Sequence, residues 1–138
     1  MNEYILEQLT PGVKEQFTVT ITENMQKTFT AMTGDVNPLH TDSIYASETG
    51  YRDKVVYGML TSSFYSTLAG CYLPGKYCVF QELNLSFANP VYIGDTLTIS
   101  GIVDKVYPEL KRVKIKVRIT NQNGKTVSRG NIVTGVLK

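Results

Sequence analysis

The sequence contains no tryptophan, one histidine and two cysteines in 138 residues. This scarcity of nitrogen and sulfur ligands excludes whole classes of chemistry. One imidazole and two thiols, Cys71 and Cys78, do not make a zinc set, so no metal site is expected. In an unexported chain the two cysteines are expected to be free or buried thiols, with a disulfide between them as the alternative. Charge is sparse as well. Charged residues are 19% of the chain and the formal net charge is +2, which gives no ground for a nucleic-acid partner. No apolar run approaches the roughly 20 residues that span a bilayer, so no membrane partner is expected. Residues Met1 to Glu7 lack a basic segment followed by an apolar one, so no signal peptide is visible and the expected location is the cytoplasm. There is no internal repeat and no low-complexity segment.

What is present fits one folded domain over residues 1–138. Apolar residues make up 42%, and the length is enough to bury a core without staples. Phe17 to Ile21 alternates apolar and polar residues, as a half-buried strand does. Thr22 then offers an N-cap to a helix whose apolar stripe is Met25, Phe29 and Met32, with Gly34 placed to end it. A short helix capped by Asp42 or Ser43 and stopped at Gly50 follows. Within the stretch Val55 to Gly70, the helix from Gly58 to Gly70 is the most apolar candidate. Leu60, Phe64 and Leu68 should face the core, while Ser62, Ser66 and Gly70 form a second stripe of small residues.

From Tyr77 onward the pattern is strand. Tyr77 to Phe87 reads as one long strand with Val79, Gln81, Leu83, Leu85 and Phe87 on one face. Leu97, Ile99, Gly101 and Val103 alternate with Thr96, Thr98, Ser100 and Ile102, as do Val113, Ile115, Val117 and Ile119 with Arg112, Lys114, Lys116 and Arg118. Asn123-Gly124 marks a hairpin, and Val127 to Leu137 is the last strand. These elements predict an α+β fold, an antiparallel sheet of about five strands wrapped around its main helix.

The single histidine lies in Gly34-Asp35-Val36-Asn37-Pro38-Leu39-His40. The proline fixes its own φ and biases Asn37 toward extended backbone, so the turn can hold a carboxylate and an imidazole in one geometry. Acid–base chemistry on a small molecule requires that arrangement. The plainer alternative is that Asp35 caps backbone N–H groups of its own turn.

Phe29 to Asp42 resembles the signature of the MaoC-like, (R)-specific enoyl-CoA hydratases, a family with the hot dog fold. Val56-Tyr57-Gly58-Met59-Leu60 is similar to the segment opening that family's central helix, and Leu73-Pro74-Gly75, Leu85 to Val91 and Gly94-Asp95 add to the likeness. The resemblance, which runs from about Thr10 to the C-terminus, implies that Asp35 and His40 are the catalytic pair. It also implies that the Gly58 N–H holds a thioester carbonyl, with Asn37, Tyr57, Met59 and Ser66 completing the substrate-binding set. Family members often carry His where this chain has Tyr57, a departure that bears on substrate preference. The implied reaction is reversible hydration of a trans-2-enoyl thioester. Coenzyme A or an acyl-carrier protein would be part of the substrate, no further cofactor is implied, and the chain would be a homodimer with its site near the subunit interface. A hot dog thioesterase and a non-catalytic acyl-thioester binding module are the rival readings.

The alternating Arg112, Lys114, Lys116 and Arg118 fit a solvated strand face better than a coenzyme A phosphate site. Without interleaved aromatics they do not suit single-stranded nucleic acid.

Overall fold

The computed structural model describes residues 1–138. Five strands, β1 (Lys14–Thr20), β2 (Cys78–Phe87), β3 (Thr96–Tyr107), β4 (Arg112–Thr120) and β5 (Thr126–Val136), form one antiparallel sheet in the order β1-β3-β4-β5-β2. The four helices α1 (Glu23–Thr33), α2 (Pro38–Thr41), α3 (Ser43–Glu48) and α4 (Gly58–Thr67) all lie in the chain between β1 and β2. This is the α+β, helix-in-sheet arrangement expected from the periodicities.

Alternation sets the sheet's two faces. On β4 the residues Val113, Ile115, Val117 and Ile119 are buried, as are Leu97, Ile99 and Val103 on β3. They join Leu60, Tyr65, Leu68 and Ala69 from α4 and the turn after it in one cluster of 20 buried residues. Tyr65, fully buried, satisfies its hydroxyl on Ser128 Oγ at 2.8 Å, and burial pushes its phenol up to about 12. No helix is long and apolar enough to cross a membrane.

Several local expectations change. The first strand begins at Lys14, three residues before the alternation becomes clean, because Lys14 to Gln16 pair with Ile102 to Ser100. Met32, on the last turn of α1, is 74% exposed, whereas Met25 and Phe29 pack on the core. On α4, Ser62 is buried but Ser66 is exposed, so the small-residue stripe does not run along one covered face. The α-helical winding stops at Thr67, and Leu68–Tyr72 continues in a wider turn.

In β2 the register slips between Phe80 and Glu82. Phe80 opposes buried Thr134 and Leu83 opposes buried Ile132, so both take the inner face, whereas Val79 opposes Gly135 on the other. A bulge therefore splits the apolar set that a single strand period would keep together. Cys71 and Cys78 are both free thiols, and burial pushes the Cys78 thiol up to about 11.

Candidate active site

The turn after α1 is built by local capping. Thr22 Oγ1 accepts the Met25 N–H at 3.2 Å to start α1, and Gly34 ends it in the left-handed region at φ 72°. Asp35 emerges next, exposed, and its Oδ1 accepts the Asn37 N–H at 3.1 Å. The capping role open to Asp35 is therefore occupied by one carboxylate oxygen, leaving the second uncommitted. Asn37 in turn caps α2, its Oδ1 accepting the Leu39 N–H at 2.9 Å, with Pro38 as the first helical residue. His40 thus stands on a single helical turn, where the sequence suggested a turn without a helix.

His40 is half-buried, and its orientation is fixed by three contacts. Its Nδ1 lies 2.7 Å from the Val55 carbonyl oxygen. A carbonyl only accepts, so Nδ1 carries the proton, and in the neutral ring Nε2 is the basic nitrogen. The ring rests on Tyr57 with centroids 4.1 Å apart. Behind both, Gln26 of α1 is 2% exposed and its Nε2 donates to the carbonyls of His40 and Val55, each at 3.1 Å.

Tyr57 occupies the N-cap position of α4 and is itself buried. Its hydroxyl donates to the Asp35 carbonyl and sits 2.7 Å from Thr30 Oγ1. Gly58 follows as the first residue of α4, where the backbone N–H has no intrahelical acceptor and the helix dipole favours negative charge. A side chain here would meet the Phe87 ring, since a Cβ would lie 2.9 Å from Phe87 Cε1. Glycine lets that ring close over the helix start.

His40 and Gly58 line one hollow of about 320 Å³, with Val55, Val56, Thr61, Phe87, Asn89 and others on its walls. A larger depression of about 680 Å³ lies across Lys116, Arg118 and Arg129 on the outside of the sheet, away from this chemistry. Of the residues singled out in the sequence, the hollow brings His40 and Gly58 together. Tyr57 stands behind His40 and Asp35 is tied to Tyr57 through its carbonyl, but neither belongs to the wall. Asn37 serves as a helix cap. Met59 is 64% exposed and Ser66 lies exposed further along α4; both are off the hollow.

Sequence reasoning missed Gln26, Thr30, Thr61 and Phe87 as parts of this region. Gln26, Thr30 and Thr33 do form a polar stripe at helical spacing beside Met25 and Phe29, but such a stripe usually faces water. No group of three or more His, Cys, Asp and Glu residues is placed to hold a metal ion.

Comparison with known proteins agrees with this architecture. The (R)-specific enoyl-CoA hydratase of Rhodospirillum rubrum is 32% identical over 127 residues, covering 92% of this chain and 88% of its own. The enzyme of the same name from Aeromonas caviae is 35% identical over 105 residues, covering 76% of this chain and 78% of its own. A solved structure, an (R)-hydratase from A. caviae involved in PHA biosynthesis, superposes with a TM-score of 0.90 at 31% identity, covering 94% of this chain and 98% of that one. The fold is accordingly the hot dog fold of such hydratases. The family model for the MaoC-like domain matches residues 7–127, and the chain belongs to that family.

Proposed function

We propose that the protein hydrates trans-2-enoyl thioesters to (R)-3-hydroxyacyl thioesters and catalyses the reverse dehydration. The observation that supports this reading best is the placement of an imidazole of fixed tautomer and a free helix-N-terminal amide on the walls of one hollow. Hydration needs those two functions together. Water adds to C3 as its O–H bond breaks, and the double-bond electrons shift toward the thioester oxygen. The Gly58 N–H, with the dipole of α4 behind it, stabilises that oxygen. A comparable donor elsewhere contributes roughly 3–4 kcal/mol to lowering the barrier.

His40 Nε2 takes the proton from the water and returns one to C2, so the water supplies both new substituents and no redox partner is needed. The free oxygen of Asp35, which stands off the wall of the hollow itself, is assigned to orient that water. No resident cofactor enters the scheme; the carrier, coenzyme A or an acyl-carrier protein, belongs to the substrate.

The working unit in this reading is a homodimer. β2 is an edge strand, and Val79, Phe80, Leu83 and Phe87 are exposed on it. Long apolar edges invite pairing with another chain. Phe87 also walls the hollow, so a second copy on this edge would complete the site. Light scattering after size exclusion should give twice the chain mass; a monomer at working concentration would contradict this part.

The function is tested by adding crotonyl-CoA and following loss of the conjugated double bond, with chiral analysis of the product. Formation of (R)-3-hydroxybutyryl-CoA is expected. Release of free thiol from a saturated acyl-CoA, with no hydration, would favour a thioesterase instead. Binding without turnover would favour a carrier module.

A further inference from the structure

Tyr57 touches each part of the site without lining the hollow, so the substrate-binding place that the resemblance implies for it is not where its side chain stands. We infer that Tyr57 is a positioning residue that holds Asp35 in register with His40 and Gly58; the inference rests on the hydratase reading for its kinetic consequence but not for its geometry.

The Tyr57 hydroxyl has one proton, and the Asp35 carbonyl can only accept, so that proton points to Asp35. The 2.7 Å approach of Thr30 Oγ1 must then be a donation from Thr30 to the phenol oxygen. Thr30 Oγ1 also lies 3.0 Å from the Gln26 carbonyl, so its proton is shared between two acceptors. The chain α1–Tyr57–Asp35 therefore has one direction and no spare donor.

The remaining bonds of Asp35 are local. Its N–H reaches Thr33 Oγ1 at 3.3 Å and its Oδ1 accepts from Asn37. These shape the turn but do not locate it against the rest of the molecule. The bond from Tyr57 does, because Tyr57 is pinned at both ends. Its carbonyl accepts the N–H groups of Leu60 and Thr61 at 3.1 and 3.2 Å, which fixes it at the start of α4. Its ring is held between Phe29, with centroids 4.7 Å apart, and His40 at 4.1 Å. A side chain with two torsions thus sets the distance from the Asp35 turn to both the imidazole and the Gly58 amide.

Tyr57→Phe separates the roles, since it keeps the ring against His40 and removes the tie to Asp35; the bond from Thr30 goes with it, but Thr30 keeps the Gln26 carbonyl as its acceptor. Turnover of crotonyl-CoA should fall about tenfold with KM little changed, an intermediate cost for a small misplacement of a reacting group. In an Asp35→Asn background the same change should add nothing, because there is no longer a carboxylate to position. An equal loss in both backgrounds, or no loss in either, would overturn the inference.

A readout independent of turnover keeps the test separate from the hydratase reading. Amide exchange at Asn37, whose N–H is held by Asp35, should accelerate at least about fivefold in Tyr57→Phe, while the amides of α4 keep their protection. Unchanged exchange at Asn37 would sink the positioning role even in an active enzyme. Accelerated exchange in a protein with no hydratase activity would leave the strut standing and remove the reaction.

Discussion

Along β4, the inward residues Val113, Ile115, Val117 and Ile119 are all apolar and buried, whereas the buried groups where α1 meets α4 include Gln26, Tyr57, Thr61 and Ser62. The first region is held by area removed from water, which is non-directional and sums over many small contacts. The second is held by directional bonds, each of which sets one atom's position. Gln26 spans His40 and Val55, Tyr57 spans Thr30 and Asp35, and Thr61 and Ser62 turn back to the Gly58 carbonyl at 3.0 and 2.7 Å. Stability and activity should therefore come apart under mutation.

The sharpest way to break that contrast is in the sheet. Ile119→Ala should reduce unfolding free energy by about 2–5 kcal/mol, the range for truncating a buried aliphatic side chain, while surviving folded enzyme keeps its KM. Urea denaturation together with kinetics on the folded fraction measures both. A stable variant with altered KM would blur the division.

In the site the expectation is reversed. Asp35→Asn should lower hydration of crotonyl-CoA by at least about a hundredfold, with unfolding free energy within about 0.5 kcal/mol of wild type, as for an exposed position. Wild-type turnover would leave Asp35 as a cap for Asn37 and nothing more.

Gln26 tests the boundary between the two regions, being both buried and polar. Gln26→Leu removes the donor to two carbonyls and should lower stability by about 1–3 kcal/mol. It should also slow turnover, because the Val55 carbonyl that fixes His40 loses its second partner. Loss of stability without any kinetic effect would assign Gln26 to the core alone.

The smallest effect is on the outer face of the sheet. Arg118 and Arg129 are direct cross-strand partners, while Asp104 answers only Lys114 and Lys116, at 3.9 and 3.5 Å. Arg129→Glu should raise stability by roughly 0.2–1 kcal/mol, the scale of a cross-strand pair, with turnover unchanged. Destabilisation would point to an undescribed use for the paired arginines.

The same contrast explains what was legible in the sequence. A two-residue period is visible wherever one face is buried, so β3 and β4 could be read directly, and Gly34 and Asn123-Gly124 marked real turns. The bulge in β2 was not visible, because an extra residue leaves no composition signal and Val79 to Phe87 still alternates on paper. Asp35, His40 and Gly58 stood out through their chemical types and their likeness to a family. Their supports did not. Gln26 and Thr30 look like a wet helix face, and a tyrosine in an apolar run looks like packing until its hydroxyl is traced to Asp35. Side-chain hydrogen bonds between distant elements have no period, so only coordinates reveal them.

The central claim is that His40, with Nδ1 bound to Val55, presents Nε2 as the base beside the Gly58 amide. The most direct measurement is the rate of crotonyl-CoA hydration by His40→Ala, with circular dichroism showing an unchanged fold. A fall of at least about a hundredfold is predicted, the low end for removing a general acid–base group; a folded variant hydrating at close to the wild-type rate would contradict the account.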